Sequence, residues 1–463
     1  MNIIFLKSII IIIFFYCFLN KKILKIPFTI TDQINNSKHN LIQRLFINPK
    51  PISIFLIGSE KQKINFTIKL NNYYTCITSN DSNSVLKSYN ETLSKTYKLT
   101  NPNKLCNLET MSETYESQET LIINKKIIKN FPFLLNRLVR FNGMYDYAIL
   151  GLSLQNKYDS DENFNFIKNM KYFNIIDGYS FYFNFFNESA LDINNSGELI
   201  IGNDDYFKNN NNLINVDLSN KISYSFWTLN FRNVFYGDIN IYKYNNNNNY
   251  NKEIFNNIFA EISIEFGLII ANYQMKEVLS NNFFNENKCE YLSFSYDNLD
   301  DEQSSLNMYL FYFVCNSSVD ISKFKPIIFQ LKDLNYNFTL NYKDLFFNYN
   351  NSYYFLILFG TKNIHFGRFF LKKFKIAFNQ DKKIIYLNIK DNNSKFFNFD
   401  FNKNIIILIL FMIIFCCIYL ILKLIKIIPR KNRANELCEN YEYLNKNSEN
   451  YIEFSVNKNK NKN

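Results

Sequence analysis

Ile262-Ser263-Ile264-Glu265-Phe266-Gly267-Leu268-Ile269-Ile270 sets one carboxylate and one glycine inside an apolar, β-branched run. Its length and Ile content predict a strand over 262–270. Similar runs, rich in Ile, Phe, Tyr and Val and bounded by Asn, Asp and Ser clusters, recur at 52–57, 64–70, 179–185, 222–229, 310–314, 327–331 and 354–359. Each predicts a strand by the same signs. Residues 273–279 switch to helical spacing directly after such a run. The pattern predicts a mainly β, mostly antiparallel protein with a few short helices.

Composition narrows the class. The chain has 463 residues, enough to bury a sizeable core. Only 10 Gly and 7 Pro exclude collagen-like and linker-dominated chains, and 49 Phe with 33 Tyr exclude wholesale disorder. The net charge of +11 is spread along the chain without a basic stripe interleaved with aromatics. Nucleic-acid binding therefore gains no support. With just two histidines, His39 and His365, a His-based metal site or a Ser-His triad is disfavoured. No metal or organic cofactor is implied.

The ends predict a membrane protein. Residues 1–20 carry one Lys before an apolar run too short for a comfortable span, which reads as a signal peptide, the alternative being an uncleaved anchor. Residues 405–422 contain no charge, and Lys423 and Lys426 can snorkel, so a transmembrane helix is expected over 405–428. Pro429 ends it, and Arg430, Lys431 and Arg433 follow. The positive-inside rule puts the tail, 429–463, in the cytosol. The expectation is a single-pass type I protein of the secretory pathway, in the endoplasmic reticulum or later, with a juxtamembrane linker at 391–404. Four of the eight cysteines fall in the ectodomain: Cys76, Cys106, Cys289 and Cys315. An even count in an oxidising compartment predicts two disulfides in one of three connectivities. Asn-x-Ser/Thr triplets, such as those at Asn90, Asn187 and Asn337, are frequent enough in so Asn-rich a chain to arise by chance.

The order of landmarks over about 46–390 resembles the pepsin-like aspartic peptidases. Gly58-Ser59-Glu60-Lys61-Gln62 after the strand at 52–57 is similar to the family's opening hairpin. Tyr89-Asn90-Glu91-Thr92-Leu93-Ser94-Lys95-Thr96-Tyr97 resembles its Phe-Asn-Pro-x-x-Ser-x-Thr-Tyr loop, and Asp146-Tyr147-Ala148-Ile149-Leu150-Gly151-Leu152 its Asp-Gly-Ile-Leu-Gly-Leu segment. Phe181-Tyr182-Phe183-Asn184 and Gly197-Glu198-Leu199-Ile200-Ile201-Gly202-Asn203-Asp204 resemble the strand pair between the lobes. Phe226-Trp227 stands where the family has Tyr-Trp. His365-Phe366-Gly367-Arg368-Phe369-Phe370-Leu371 and Phe378-Asn379-Gln380-Asp381-Lys382-Lys383-Ile384-Ile385-Tyr386 are similar to two late segments. The resemblance implies a bilobed fold: a leader or pro-like segment at 21–45, an N-terminal lobe at 46–180 and a C-terminal lobe at 181–390. It also implies a disulfide between Cys289 and Cys315, leaving Cys76 with Cys106.

An aspartic peptidase needs two carboxyls about 3 Å apart that share one proton, each on an Asp-Thr-Gly loop. Aligned from Phe66-Thr67-Ile68-Lys69-Leu70, the first Asp position holds Asn71, followed by Asn72 and Tyr73. A carboxamide cannot act as a general base. A different alignment would leave Asp81 as the nearest carboxylate downstream. The second loop reads Glu265-Phe266-Gly267. The extra methylene of Glu displaces a carboxylate by roughly 1 Å, which is costly in a positioned site. Glu265 therefore reads as a structural acid, with a catalytic role as the alternative. Tyr115 is the flap candidate, or an ordinary surface tyrosine, since residues 112–118 contain no Gly. The implied function is a catalytically inactive, membrane-anchored pseudopeptidase that binds peptide or protein in the cleft between lobes. The alternatives are an active, divergent endopeptidase similar to the plasmepsins, and a structural or adhesion ectodomain.

Overall fold

The computed structural model describes residues 22–30, 41, 42, 45, 50–79, 88–101, 113–137, 148–155, 162–186, 196–202, 213–219, 226–243, 258–296 and 308–388. The expected signal, linker, transmembrane helix and tail lie outside these residues. Among the described residues no helix is long and apolar enough to cross a membrane.

The protein is mainly β. Among the described residues the strands form a 13-stranded and a 12-stranded sheet. The first gathers strands from the first half of the chain, from Leu24–Ile30 to Leu213–Asp217, together with Ala377–Asn379 and Ile384–Asn388 from its far end. The second takes strands from Thr228–Tyr236 to Ile364–Phe366. The segment 181–390 is thus divided between the sheets. Leu24–Ile30, inside the expected leader, lies in the interior of the first sheet, paired with Ser196–Ile201 on one side and Pro51–Ile57 on the other. It alternates strictly: Leu24, Ile26, Phe28 and Ile30 are buried, and the residues between them exposed. That is the period of a strand with one wet face.

The sheets contain the same local arrangement. In the first, Gln62–Lys69 runs parallel to Ala148–Gly151, which is antiparallel to Cys76–Ser79, itself parallel to Lys126–Arg137. In the second, Ile258–Ile262 runs parallel to Ile364–Phe366, which is antiparallel to Ile269–Asn272, itself parallel to Ile357–Thr361. Each time a strand breaks, a loop crosses over, and a later strand threads between the two halves. The crossing loops are residues 70–75 and 263–268. The predicted continuous strand over 262–270 is corrected here: it stops at Ile262 and resumes at Ile269. Gly367 leaves room for the break, because the loop carbonyls of Phe266 and Leu268 lie where its side chain would be. The run at 354–359 also breaks, after Phe355; of the strand foreseen over 222–229, residues 222–225 lie outside the described residues, and the strand Thr228–Tyr236 begins near the end of that run. The helix Tyr273–Leu279 forms as its spacing predicts, capped by the Asn272 side chain accepting from the Met275 amide.

Aromatic packing ties the sheets together. Trp227 is fully buried, 4.8 Å from Phe378 and 5.8 Å from Phe181 between ring centroids. Its Nε1 donates to the Leu152 carbonyl at 2.9 Å, satisfying the one polar atom of the ring. A disulfide joins Cys289 to Cys315 in the second sheet. Cys76 is buried, and Cys106 lies outside the described residues.

Candidate functional site

The first loop follows Gln62–Lys69, whose hairpin with Pro51–Ile57 is pinned from below. The Gln62 side chain donates to the Asn90 carbonyl at 2.8 Å and accepts from the Asn90 amide at 2.9 Å. Beside it, buried Glu119 accepts from the hydroxyls of Tyr89 and Thr96 and from the Thr120 amide. Burial, reinforced by the Glu119 carboxylate, pushes the Tyr89 hydroxyl well above its usual range. These bonds give the stretch 89–97 a structural role.

Leu70 is buried and Asn71 is exposed. The Asn72 side chain accepts from the Tyr74 amide at 2.8 Å, a turn that asparagine favours. Tyr73 is buried, and its carbonyl accepts from the buried Asn165 amide nitrogen at 3.2 Å. The Asn72 carbonyl accepts from the Ser153 amide at 2.9 Å, and the Thr75 amide donates to the Phe164 carbonyl at 2.8 Å. Gly151 lies beneath: a Cβ there would come within 2.6 Å of the Asn72 carbonyl oxygen. Tyr73 thus occupies the position where the resemblance asks for glycine, and it fills a core site. No carboxylate occurs in residues 70–75; Asp81 lies outside the described residues.

The second loop makes matching backbone bonds. The Ser263 amide donates to the Phe366 carbonyl at 2.9 Å, and the Arg368 amide to the Phe266 carbonyl at 2.8 Å. A Cβ on Gly367 would come within 2.5 Å of the Phe266 oxygen. The side-chain chemistry differs. Arg368 is 5% exposed, and its Nη1 donates to the carbonyls of Ile264 at 2.8 Å and Glu265 at 3.1 Å. Burial pulls the guanidinium down to about 9, and the Glu265 carboxylate opposes that shift. Glu265 is half-buried. On the adjoining strands Glu261 pairs in register with His365, with Oε2 and Nδ1 3.7 Å apart. Burial, then the charge of Glu265, pushes Glu261 up to about 7, and burial pulls His365 down to about 4. The Phe266 ring stands edge-on to His365. The Leu45 carbonyl covers Gly267 so closely that any side chain there would collide with it. Ile42 and Leu45 pack with Leu268, Ile270 and Leu310, so part of the expected leader belongs to this core.

Asn71 and Glu265 therefore stand at equivalent points of a repeated crossing. Tyr115 lies half-buried on Glu113–Ile123, opposite Leu135, packed against the core. Sequence reasoning missed Glu261 and Arg368. Arg368 was legible as a lone cation inside the apolar stretch 364–371, and Glu261 as the one acid among the strand residues 258–262. Among the described residues no group of three or more His, Cys, Asp or Glu is placed to hold a metal ion. The first loop offers only uncharged amides and hydroxyls, and the second holds a carboxylate beside a buried guanidinium. No family model matches the chain, and no curated protein matches it in sequence.

Proposed function

We propose that this chain is a membrane-anchored, bilobed protein of the pepsin-like aspartic peptidase type that has lost its catalytic dyad and binds peptide or protein without cleaving it. The observation that carries this reading is the repeated crossing: two glycine-threaded loops at equivalent positions, one presenting Asn71 and the other Glu265. A shared-proton pair needs a carboxyl on each loop. Here one loop has none, and the acid of the other stands beside the buried Arg368 guanidinium. Leu45 over Gly267 adds to the case, because a substrate reaching the second loop would meet the chain's own backbone. Binding needs no catalytic acid: an extended peptide is held by backbone hydrogen bonds and side-chain pockets. Signal-like residues 1–20 and the apolar stretch 405–428 support the anchored, type I topology with a cytosolic tail.

One observation favours the runner-up, a divergent endopeptidase. Glu261 and Glu265 are two carboxyls near one loop, and burial with the charge of Glu265 raises Glu261 to about 7, the range of a general acid. Incubating the full chain with a peptide library at acid pH, with and without a statin-type inhibitor, separates the readings. The proposal expects no inhibitor-sensitive cleavage. Cleavage abolished by Glu265→Gln or Glu261→Gln would establish the enzyme.

A further inference from the structure

Among the described residues five asparagines open an Asn-x-Ser/Thr triplet: Asn65, Asn90, Asn316, Asn337 and Asn350. A glycan is bulky and hydrated, so in the folded protein its asparagine must stand in solvent with room on both sides. The fold sorts the five by that requirement. Asn65 is exposed, but its Thr67 is buried in the middle of the first sheet. Asn90 is half-buried and pinned through its backbone by Gln62, while its side chain accepts from the Thr92 amide and hydroxyl at 3.0 and 2.7 Å. Asn337 is exposed but lies within a strand, next to buried Phe338.

Asn316 and Asn350 differ from these. Asn316, Ser317 and Ser318 are all exposed where Met308–Asn316 ends. Tyr349, Asn350 and Asn351 are all exposed in the turn joining Phe346–Tyr349 to Ser352–Phe355. The two triplets interlock: Asn316 pairs with Ser352, and the Ser317 amide donates to the Asn351 carbonyl at 3.2 Å. The Asn316 side chain accepts from the Ser318 amide through Oδ1, which leaves its Nδ2 out of that bond.

We infer that Asn316 and Asn350 carry N-linked glycans, a paired modification site at one corner of the second sheet. The inference rests on the proposed lumenal placement of the ectodomain. The donor is an oligosaccharide on a lipid pyrophosphate. Its C1–O bond breaks, the asparagine Nδ2–C1 bond forms, the amide gives up one proton, and the lipid pyrophosphate leaves. Two glycans at this corner would keep other proteins off the adjoining strand ends.

The test expresses the full chain in glycosylating eukaryotic cells, once with its own N-terminus and once with an added secretion signal. Only protein with Cys289 bonded to Cys315 is analysed. Peptide-N-glycosidase treatment in heavy-oxygen water converts each glycosylated asparagine to a labelled aspartate. Label at both Asn316 and Asn350 is expected, with Asn316→Gln and Asn350→Gln each removing one step in gel mobility. Disulfide-bonded protein carrying unlabelled Asn316 and Asn350 would overturn the inference. Label obtained only with the added signal would keep the inference and retire the proposed topology, so the two can fail separately. The labelling needs no substitution, so misfolding of a variant does not cloud it.

Discussion

Residues 70–75 and residues 263–268 cross a glycine at the same point of the same strand pattern, and they are held there by different chemistry. The first loop is stitched by neutral groups: the Asn72 turn, the Asn165 amide and backbone bonds to Ser153 and Phe164. The second is clamped by a buried guanidinium on two carbonyls, with a carboxylate beside it. The common part is backbone and glycine; the variable part is the side chains above it. A loop of this kind can therefore lose its acid and keep its path, since the acid does not hold the path. The asymmetry also makes only one side sensitive to charge and pH.

The largest expected effect tests the common part. Gly151→Val and Gly367→Val should each destabilise the protein by about 4 kcal/mol or more, because the new side chain meets loop carbonyls on an otherwise buried floor. Chemical denaturation, or the yield of folded protein, reads this. The comparison predicts similar losses at the two positions. Tolerance at one of them would show that the two crossings are not equivalent.

Arg368→Met tests the variable part. It removes a buried cation, takes that donor from two carbonyls and removes a positive charge from the neighbourhood of Glu265. A loss of about 3 kcal/mol is expected, because two carbonyls lose a charged donor in a buried setting. Asn72→Ala in the first loop should cost about 1 kcal/mol, the value of one ordinary hydrogen bond. Equal losses would mean that the buried charge contributes nothing special to the second loop.

The pH dependence should divide the loops further. Glu261 binds its proton up to about pH 7 in the fold, against 4.5 when unfolded. Its contribution to stability is complete below pH 4.5 and falls away as pH rises towards 7, by at most about 3 kcal/mol. His365 runs the other way. Its folded value of about 4 lies below 6.5, so stability is complete above pH 6.5 and falls as the pH drops towards 4. The two slopes oppose each other between pH 4.5 and 6.5, and the native protein should show a shallow profile there. Glu261→Gln should expose the histidine slope and His365→Phe the glutamate slope, measured by thermal unfolding from pH 4 to 8. A flat profile in both variants would mean that neither group is perturbed by the fold.

Strand content was legible because alternation and β-branched runs report burial directly, as in Pro51–Ile57 and Ile327–Leu331. The break inside 262–270 was not. The glycine that leaves room for it, Gly367, lies about a hundred residues away in sequence, and no local propensity carries that information. The same holds for Arg368 and Glu261. Their types are plain in the sequence, but their relation to Glu265 depends on the parallel register of two distant strands. Asn71 and Glu265 were found through the order of surrounding landmarks, and their equivalent placement follows from topology rather than from either residue's identity. The packing of Leu45 on Gly267 left no sequence signal at all, because a backbone carbonyl makes that contact.

The smallest expected effect is at Asn71 itself. Asn71 is exposed, so Asn71→Asp should shift stability by no more than about 0.5 kcal/mol. It would place a carboxyl at the first loop and bring that loop, in formula, level with the second. Activity should nevertheless stay undetectable. Glu265 keeps its guanidinium neighbour and its extra methylene, and Tyr73 keeps its place in the core beneath the new acid. Groups that act as a unit do not return activity one at a time. The measurement is acid-pH hydrolysis of a peptide library by the full-length variant beside the unmodified protein. Inhibitor-sensitive cleavage gained by this single change would mean that the two loops differ by one atom type rather than by their whole support, and the comparison would then have to be redrawn around Asn71 alone.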